Sequence, residues 1–349
     1  MKHDTTFLYK KVYKSLRFDI EQGNYKNGDR LPSLDQLSKT FQVNRLTARR
    51  AIDELKEQGL VYALPAKGTF VGKAPHTAAA QILPQESTIG IFFTVIQGND
   101  LGYYYMELLD AIRTELASQQ LNVKLLTQLD LKQSHSHEIK GLNAILIVGP
   151  CDDLLEDYCC PAIHIVPQSQ SSRLPAIEID NCQGGFMAGR HLINLGHRNL
   201  AVIQGDTDQP CTAERLRGFK LAIQDYDDAK LQVFDGLYNV ESGIAASEQI
   251  MKEAADVTAI FAMNDEMAAG AIQGFTRQGI SVPEKISVIG FDNSKITTML
   301  SPPLTTIGIS TSEIAKIAVH HLHRPSDLRY KTLVYPNLVI RDSCKKLTD

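Results

Sequence analysis

From residue 88 onward, short apolar runs alternate with segments of helical periodicity, and this alternation restricts the fold more than any other feature of the sequence. The runs are IGIFFTVI at 89–96, AILIVG at 144–149, AIHIV at 162–166, LAVIQGD at 200–206, TAIFAMND at 258–265 and ISVIGFD at 286–292. Strands that alternate with helices along a chain form a parallel sheet with helices on both faces. We therefore predict an α/β architecture that binds a ligand outside the carboxyl ends of its strands.

Polar residues follow three of these runs, where the strands are predicted to end. They are Asp206, Asn264, Asp265, Asp292 and Asn293. Carboxylates and amides in this position can each hydrogen-bond two vicinal hydroxyls of a sugar. The simpler interpretation, that such residues only cap the following helices, applies best to Asp265.

A cation and several aromatic rings are predicted close to the same crevice. Arg215 opens the helical segment RLRGF, and Tyr104, Tyr105 and Tyr238 can present ring faces on which a pyranose stacks. Aromatic residues at the ends of elements more often belong to the core or to a pocket rim, so no single tyrosine decides the function.

Competing functions need motifs that the sequence lacks. A dinucleotide-dependent oxidoreductase needs a GxGxxG loop after its first strand, where IQGND at 96–100 has one glycine. A pyridoxal-phosphate enzyme needs a larger body and a Schiff-base lysine. Cys159, Cys160 and His164 make a poor zinc site, because adjacent cysteines do not both fit one tetrahedron. We therefore predict no catalysis, no cofactor and no metal. The other clustered histidines are predicted to be exposed polar residues: His135, His137, His320, His321 and His323.

The chain also lacks the signals of membrane insertion and of export. No apolar stretch approaches the roughly 18 residues of a membrane span, and residues 1–16 lack the apolar core and cleavage site of a signal peptide. The six cysteines are unevenly spread, which fits reduced thiols better than a disulfide framework. We therefore predict a cytoplasmic protein with no membrane partner, which disfavours an exported sugar receptor.

Charge divides the chain into a basic head and an acidic body. Residues 1–73 hold 14 basic and 8 acidic side chains, a net charge of +6, whereas the remainder holds 22 basic and 32 acidic side chains, a net charge of −10. A basic module suits the neutralisation of nucleic-acid phosphates, although basic surfaces without that role are common.

The pattern of the head predicts three short helices and a hairpin. Apolar residues at helical spacing run from Tyr9 to Ile20, and Ser33 with Gln36 has the spacing of a capping box that starts a second helix. Asn44 can cap a third helix that ends at Gly59 and buries the stripe Ala48, Ala51, Ile52 and Leu55. The segment LVYALPAKGTFVG at 60–72 alternates around a turn and predicts a β-hairpin wing.

Two arginines of the third helix are placed to read DNA. Arg45 and Arg49 lie four residues apart, on a face that avoids the apolar stripe. Arginine forks on an exposed helix can bond guanine edges and phosphates, and Lys67 in the wing can reach the DNA backbone. The alternative is that this face is only solvated.

The head resembles the gluconate-repressor (GntR) family of winged helix-turn-helix proteins, through RLPSLDQLSKTFQVNRLTARRAIDELKEQGLVYALPAKGTFVG at 30–72. The LPS turn, the helix ending in EQGL and the GTFV wing all fall in register. The resemblance implies operator contacts by Ser33, Arg45, Thr47, Arg49, Lys67 and Gly68. The chain departs from the family at Leu34, where an acidic residue is usual, and at Pro65 and Ala66 in the wing, which leaves its DNA sequence preference open.

The body resembles the lactose/galactose repressor (LacI/GalR) family, whose effector domain is similar to a periplasmic sugar-binding protein. The resemblance is carried by IEIDNCQGGFMAGRHLINLGHRNLAVIQGD at 177–206, ERLRGF at 214–219, the segment from FAMND to GFDN at 261–293 and SPPLTTI at 301–307. It implies an effector pocket of Tyr104, Tyr105, Arg215, Tyr238, Asn264 and Asp292. Nothing is carried over for residues 120–175.

Together the two resemblances imply a regulator similar to the arabinose-repressor type of bacterial protein. We predict a winged helix-turn-helix domain at 1–73, a linker at 74–87, and at 88–349 a two-lobed effector and dimerisation domain with periplasmic-binding-protein-like parallel sheets. The expected partners are operator duplex DNA, a small sugar such as L-arabinose and a second copy of the chain in a homodimer. The sequence leaves open which sugar binds and whether that ligand is an inducer or a corepressor.

Overall fold

The computed structural model describes residues 5–26, 29–43, 45–57, 60–64, 68–72, 83–84, 86–93, 102–126, 141–149, 160–167, 174–323 and 331–347. The chain divides into two compact units, Met1–Ala79 and Ala80–Asp349. This division falls inside the predicted linker at 74–87, but residues 73–82 and 85 lie outside the described residues. The limits of the head, linker and body therefore remain a prediction.

The head has the predicted order of three helices and a wing. Its elements are α1 (Thr5–Glu21), α2 (Leu34–Phe41), α3 (Arg45–Glu57), β1 (Val61–Leu64) and β2 (Gly68–Val71). The strands pair antiparallel, and the predicted stripe of α3 is buried against α1 and α2. The predicted capping box is confirmed, since the Ser33 hydroxyl accepts from the Gln36 N–H and the Gln36 side chain accepts from the Ser33 N–H. The predicted caps Asn44 and Gly59 lie outside the described residues.

The body begins with a parallel sheet that belongs to a first lobe. The elements are β3 (Thr88–Phe93), α4 (Tyr103–Ser118), β4 (Asn122–Leu126), β5 (Ala144–Val148), β6 (Ala162–Ile165) and β7 (Ala176–Ile179). Every residue of β5 is buried, as expected for a central strand covered on both faces. Helix α4 packs on the sheet through Leu108, Ile112 and Leu116, which repeat at helical spacing and are fully buried.

A second lobe follows from residue 181. Its elements are α5 (Asn181–Asn194), β8 (Asn199–Gln204), α6 (Pro210–Ile223), β9 (Lys230–Asp235), α7 (Val240–Glu253), β10 (Ala259–Ala262), α8 (Asp265–Arg277), β11 (Ser287–Asp292), α9 (Ile296–Met299) and β12 (Thr305–Gly308). The chain ends with α10 (Thr311–Leu322), β13 (Lys331–Val334) and β14 (Asn337–Val339). Helix α10 and β13 return to the first lobe, and β14 returns to the second.

In the described part of the chain, each lobe thus contains a six-stranded sheet. The orders are β13-β7-β6-β5-β3-β4 in the first lobe and β14-β12-β11-β10-β8-β9 in the second. All pairs are parallel except β12 with β14, which forms an antiparallel edge that the prediction of a parallel sheet missed. The two-lobed α/β fold with a winged head is confirmed.

The chain crosses between the lobes three times, after β7, after β12 and after β13. The crossings lie side by side, because β7 pairs with β13 and β12 pairs with β14. The Asp180 N–H also donates to the Val334 carbonyl at 3.0 Å, which ties two crossings together. Three adjacent strands of this kind form a pivot about which two lobes can open and close. Among the described helices, none is long and apolar enough to cross a membrane.

Candidate ligand-binding cleft and nucleic-acid interface

A cavity of about 450 Å³ lies between the two lobes, and we call it the interlobe cavity. Its volume is typical of a site for a small molecule. Residues of both lobes line it, from the start of α4 and the end of β7 on one side and from α6 and the ends of β10 and β11 on the other. All six residues predicted for the effector pocket line this one cavity: Tyr104, Tyr105, Arg215, Tyr238, Asn264 and Asp292.

Arg215 lies in the wall of the interlobe cavity and is buried, with 7% of its surface exposed. Its Nε donates to the Asn181 side-chain oxygen at 2.9 Å, and its Nη1 donates to the Met263 carbonyl. The prediction that Arg215 opens its helix is wrong: α6 begins five residues earlier, at Pro210, because proline is favoured at the first helical position. Arg215 therefore projects from the second turn of the helix rather than from its end.

Asp292 faces the same guanidinium. Its carboxylate lies 3.8 Å from Arg215 Nη2, and the guanidinium carbon lies 3.6 Å from the centre of the Phe291 ring. Burial raises the pKa of the Asp292 carboxyl well above its usual range, and Asp265 and Glu266 raise it further while Arg215 lowers it. Among the described residues, no donor forms a hydrogen bond with this carboxylate. Asp292 is therefore suited to accept hydroxyl donors from a bound molecule.

Tyr104 contributes a buried hydroxyl from the first lobe. The Tyr104 hydroxyl is inaccessible to solvent and has no hydrogen-bond partner among the described residues. Its ring packs edge-on against the Tyr105 ring, with centroids 5.3 Å apart. Burial and the nearby Asp292 raise the pKa of Tyr104, so the hydroxyl keeps its proton. Buried polar groups without a partner are rare in native proteins, and this one is placed to bond a ligand.

Tyr238 and Asn264 are fixed by hydrogen bonds to the protein. The Tyr238 hydroxyl lies 2.6 Å from the Thr212 hydroxyl, and its ring packs so closely on Gly205 that a Cβ there would lie 1.9 Å from it. Asn264 donates to the Tyr238 carbonyl at 3.0 Å and accepts from the Met267 N–H at 2.9 Å. Asn264 is thus the N-cap of α8 and still has one amide hydrogen and one lone pair for a ligand.

The prediction that Asp265 merely caps α8 is therefore wrong. Asn264 takes that role, and Asp265 is the buried first residue of the helix. Its carboxylate accepts from the Thr306 hydroxyl and from Ser294, away from the helix. Asp206, also predicted at a strand end, accepts from the Asp208 N–H at 3.0 Å and does not line the cavity.

Several lining residues were missed by the sequence reasoning. Asp180 and Asn181 follow β7 as the other polar residues follow their strands, so the same rule could have found them. The remaining charged lining residues come from helices of the second lobe and from β7, where no local pattern marks them. Within the described ranges, the charged groups of the lining are six carboxylates and two cations: Glu178, Asp180, Glu214, Glu241, Glu266, Asp292, Arg215 and Arg217.

The predicted DNA-contacting residues of the head have different surroundings. The Arg49 side chain is 69% exposed, and its Nε lies 3.8 Å from Asp53, an ion pair too exposed to hold it. Thr47 is buried, with 7% of its surface exposed, so only a small part of it can reach DNA. Gly68 is the first residue of β2, where it pairs with Leu64, and Ser33 is exposed at the start of α2.

Other predictions on the head lie outside the described structure. The Arg45 side chain and the whole of Lys67, Pro65 and Ala66 are not among the described residues. Leu34 is half-buried and packs against the apolar core of the head. A DNA role for these residues stays a prediction.

The histidine predictions are corrected at His321 and in part at His323, which is half-buried, whereas His320 is exposed as predicted. His321 is buried, not exposed, and its Nε2 lies 2.9 Å from the hydroxyl of Thr332 in β13. His164 is buried with Nε2 2.8 Å from the Gly149 carbonyl, while His135, His137 and Cys159 lie outside the described residues. Within the described part of the chain, no three metal-ligating side chains cluster.

Comparison with known families agrees with this arrangement. Residues 8–71 match the bacterial regulatory proteins of the gntR family, and residues 190–344 match the periplasmic binding protein-like domain. The chain therefore joins a GntR-type winged helix-turn-helix domain to a periplasmic-binding-protein-like domain, and the relatives that share these domains are transcriptional regulators rather than enzymes. Both resemblances found in the sequence are confirmed.

Individual relatives share this two-part organisation or its body. The arabinose metabolism transcriptional repressor of Geobacillus stearothermophilus is 26% identical over 99% of this chain and 100% of its own length. Catabolite control protein A of Priestia megaterium is 28% identical over 72% of this chain and 79% of its own. A LacI family regulator from Enterococcus faecium with bound ribose has a TM-score of 0.64 at 24% identity, covering 75% of this chain and 100% of that structure.

Proposed function

We propose that this protein is a repressor that binds operator DNA through its winged head and leaves it when a small neutral sugar, such as L-arabinose, binds in the interlobe cavity. The observation that carries the proposal is the pairing of two unsatisfied groups in one cavity. The first lobe supplies the buried Tyr104 hydroxyl, and the second supplies the Asp292 carboxylate beside Arg215. A polyol can satisfy both lobes at once.

The charge of the lining favours a neutral sugar over a phosphorylated one. Among the residues that the structure describes, six carboxylates and two arginines line the cavity, and one of the arginines already faces Asp292. An anionic ligand would be repelled by the surplus of carboxylates, whereas sugar hydroxyls can donate to them.

The full-length match to an arabinose repressor supports L-arabinose as the first sugar to test. That relative aligns over both the head and the body, whereas catabolite control protein A aligns over only 72% of the chain. The two departures in the wing, Pro65 and Ala66, concern the operator and leave the effector site unaffected.

Coupling between sugar and DNA requires two copies of the chain. A helix-turn-helix dimer binds two half-sites at a fixed spacing, so a change in the placement of its heads weakens binding. The triple crossing between the lobes lets a ligand that binds the closed form shift the dimer toward one state. We propose a homodimer that acts on chromosomal DNA and hence in the cytoplasm.

The test combines calorimetry with DNA binding. Operator DNA is selected by the protein from a random-sequence pool, and its affinity is measured by fluorescence anisotropy with and without L-arabinose. Asp292→Asn should keep DNA affinity but lose sugar binding, whereas the matched variant Asp206→Asn, at a strand end outside the cavity, should behave as wild type. Stronger DNA binding with sugar would make the ligand a corepressor, and no sugar binding by wild type would refute the proposed effector.

A further inference from the structure

The carboxylate of Asp265 lies behind the interlobe cavity and not in it. Asp265 is 1% exposed and is not among the lining residues, although its neighbour Asn264 is. Its Oδ1 accepts from the Thr306 hydroxyl at 2.6 Å, and its Oδ2 accepts from the Ser294 N–H at 2.8 Å and the Ser294 hydroxyl at 3.2 Å. One side chain thus joins α8 to β12 and to the turn that follows β11.

That turn has an unfavourable backbone conformation. Asp292 has a φ of 111° and Asn293 has a φ of 58°, although neither residue is glycine. Two consecutive residues with positive φ carry a conformational cost and persist only when surrounding contacts hold them. The first of the two is the residue whose carboxylate faces Arg215 in the cavity.

Hydrogen bonds hold the turn from both sides. On one side the Ser294 N–H donates to Asp265, and on the other Arg341 Nη2 donates to the Asn293 side-chain oxygen at 2.7 Å. The Asp292 carbonyl accepts from the Ile309 N–H at 3.1 Å. Of these partners, Asp265 alone is a buried charged group that bonds both the backbone and the side chain of one residue.

The packing around Asp265 leaves no room for a side chain at Gly290. A Cβ on Gly290, in the middle of β11, would lie 2.4 Å from Asp265 Oδ1. The absence of a side chain at Gly290 therefore lets the carboxylate lie against the strand and reach Thr306 on the next one. The close packing of β11 against the Asp265 carboxylate thus depends on the glycine at position 290.

We propose that Asp265 is a positioning residue for effector binding, which holds the turn at 292–294 so that the Asp292 carboxylate projects into the interlobe cavity. This inference rests on the proposed function, in which Asp292 binds the sugar. Burial raises the pKa of Asp265 to about 7, but the hydrogen bonds from Thr306 and Ser294 favour the ionised form that accepts them. Asp265 contacts no sugar in this scheme and acts only through Asp292.

The test replaces Asp265 with asparagine, which keeps the size but turns one acceptor into a donor facing the Ser294 N–H. Hydrogen–deuterium exchange without sugar should show faster exchange in peptides covering 291–299, with β8 and β10 unchanged. A residue with a general structural role would raise exchange across the whole second sheet. The L-arabinose concentration that releases DNA should rise at least about tenfold, since a hydrogen bond to a charged group is lost. DNA affinity without sugar should stay within about twofold of wild type.

A second pair of variants protects the conclusion if Asp265→Asn does not fold. Thr306→Val removes the donor to Oδ1 and should weaken the sugar response in the same direction, while Thr306→Ser keeps the hydroxyl and should restore it. Unchanged exchange at 291–299, or faster exchange with an unchanged sugar response, would overturn the inference. If wild type does not bind L-arabinose, the proposed effector is wrong, and the exchange experiment still decides whether Asp265 holds the turn.

Discussion

Replacing Tyr104 with phenylalanine should raise the stability of the ligand-free protein and lower its affinity for the ligand. The Tyr104 hydroxyl is fully buried and has no hydrogen-bond partner among the described residues. An unsatisfied buried polar group costs about 1–3 kcal/mol, and its removal recovers that free energy. For a unit of this size each kcal/mol corresponds to about 2–4 °C in Tm. The variant should therefore melt several degrees above wild type when no sugar is present.

The same change should reduce sugar affinity. If a sugar hydroxyl bonds Tyr104, a neutral hydrogen bond worth about 0.5–1.5 kcal/mol is lost, which weakens binding by about 2- to 12-fold. Thermal unfolding and calorimetry with L-arabinose on the same samples measure the two effects. An unchanged or lower Tm, or unchanged sugar affinity, would refute the assignment of Tyr104 as a ligand-facing hydroxyl.

Tyr226→Phe provides the matched control. The Tyr226 hydroxyl accepts from Arg190 Nη1 at 3.1 Å, and Tyr226 does not line the interlobe cavity. Loss of that satisfied hydrogen bond should lower Tm slightly and leave sugar affinity unchanged. The Tm should rise when a buried hydroxyl without a hydrogen-bond partner is removed and fall when a hydrogen-bonded hydroxyl is removed, so the signs of the two changes distinguish the two cases.

Three further predictions test the head, the buried acid and the contact between lobes. Arg49→Ala should cost about 1–3 kcal/mol of operator affinity in a gel shift, with sugar binding in calorimetry unchanged; wild-type affinity would contradict a base contact. Burial raises the pKa of Asp265 from 3.8 to about 7, so the folded state retains a proton that the unfolded state loses between these values. The free energy of unfolding of wild type relative to Asp265→Asn should accordingly fall as pH rises from about 4 to 7, and a flat difference in urea unfolding would contradict this. Glu107 of the first lobe accepts from the Lys295 N–H of the second lobe at 2.6 Å, a contact between the lobes. Glu107→Ala should therefore favour the open form and weaken L-arabinose binding in calorimetry. An affinity equal to that of wild type would show that this contact does not help to close the lobes.

The sequence predicted the parts of the fold that local patterns encode. Apolar runs followed by Asn264 and Asp292 marked strand ends correctly, because parallel strands bring those ends to one edge. The capping box at Ser33 was also correct, because all its atoms lie within four residues. The predicted apolar runs did not include β4, β7, β9, β12, β13 and β14. For β13 and β14 the reason is that three or four residues carry little periodicity and their partners lie in two different sheets.

The chemistry of individual site residues depended on distant partners. Asn264 and Asp265 are both good N-caps, and the choice between them follows from Thr306 and Ser294, which lie far along the chain. The isolation of the Tyr104 hydroxyl likewise depends on the opposite lobe. The start of α6 at Pro210 could have been predicted from the sequence, since proline often occupies the first turn of a helix.

The three crossings between the lobes also determine when each lobe can fold during synthesis. Neither lobe is a continuous segment: the first lacks its edge strand β13 and the covering helix α10 until residues 311–334 have been made. The second lobe likewise holds five of its six strands by residue 308, whereas the first lobe already holds five by residue 179. In a nascent chain the flank of β7 should therefore stay unpaired from residue 179 until β13 is made, much longer than the flank of β12 waits for β14. Chaperones that protect unpaired strand edges should accordingly act on β7 more than on β12.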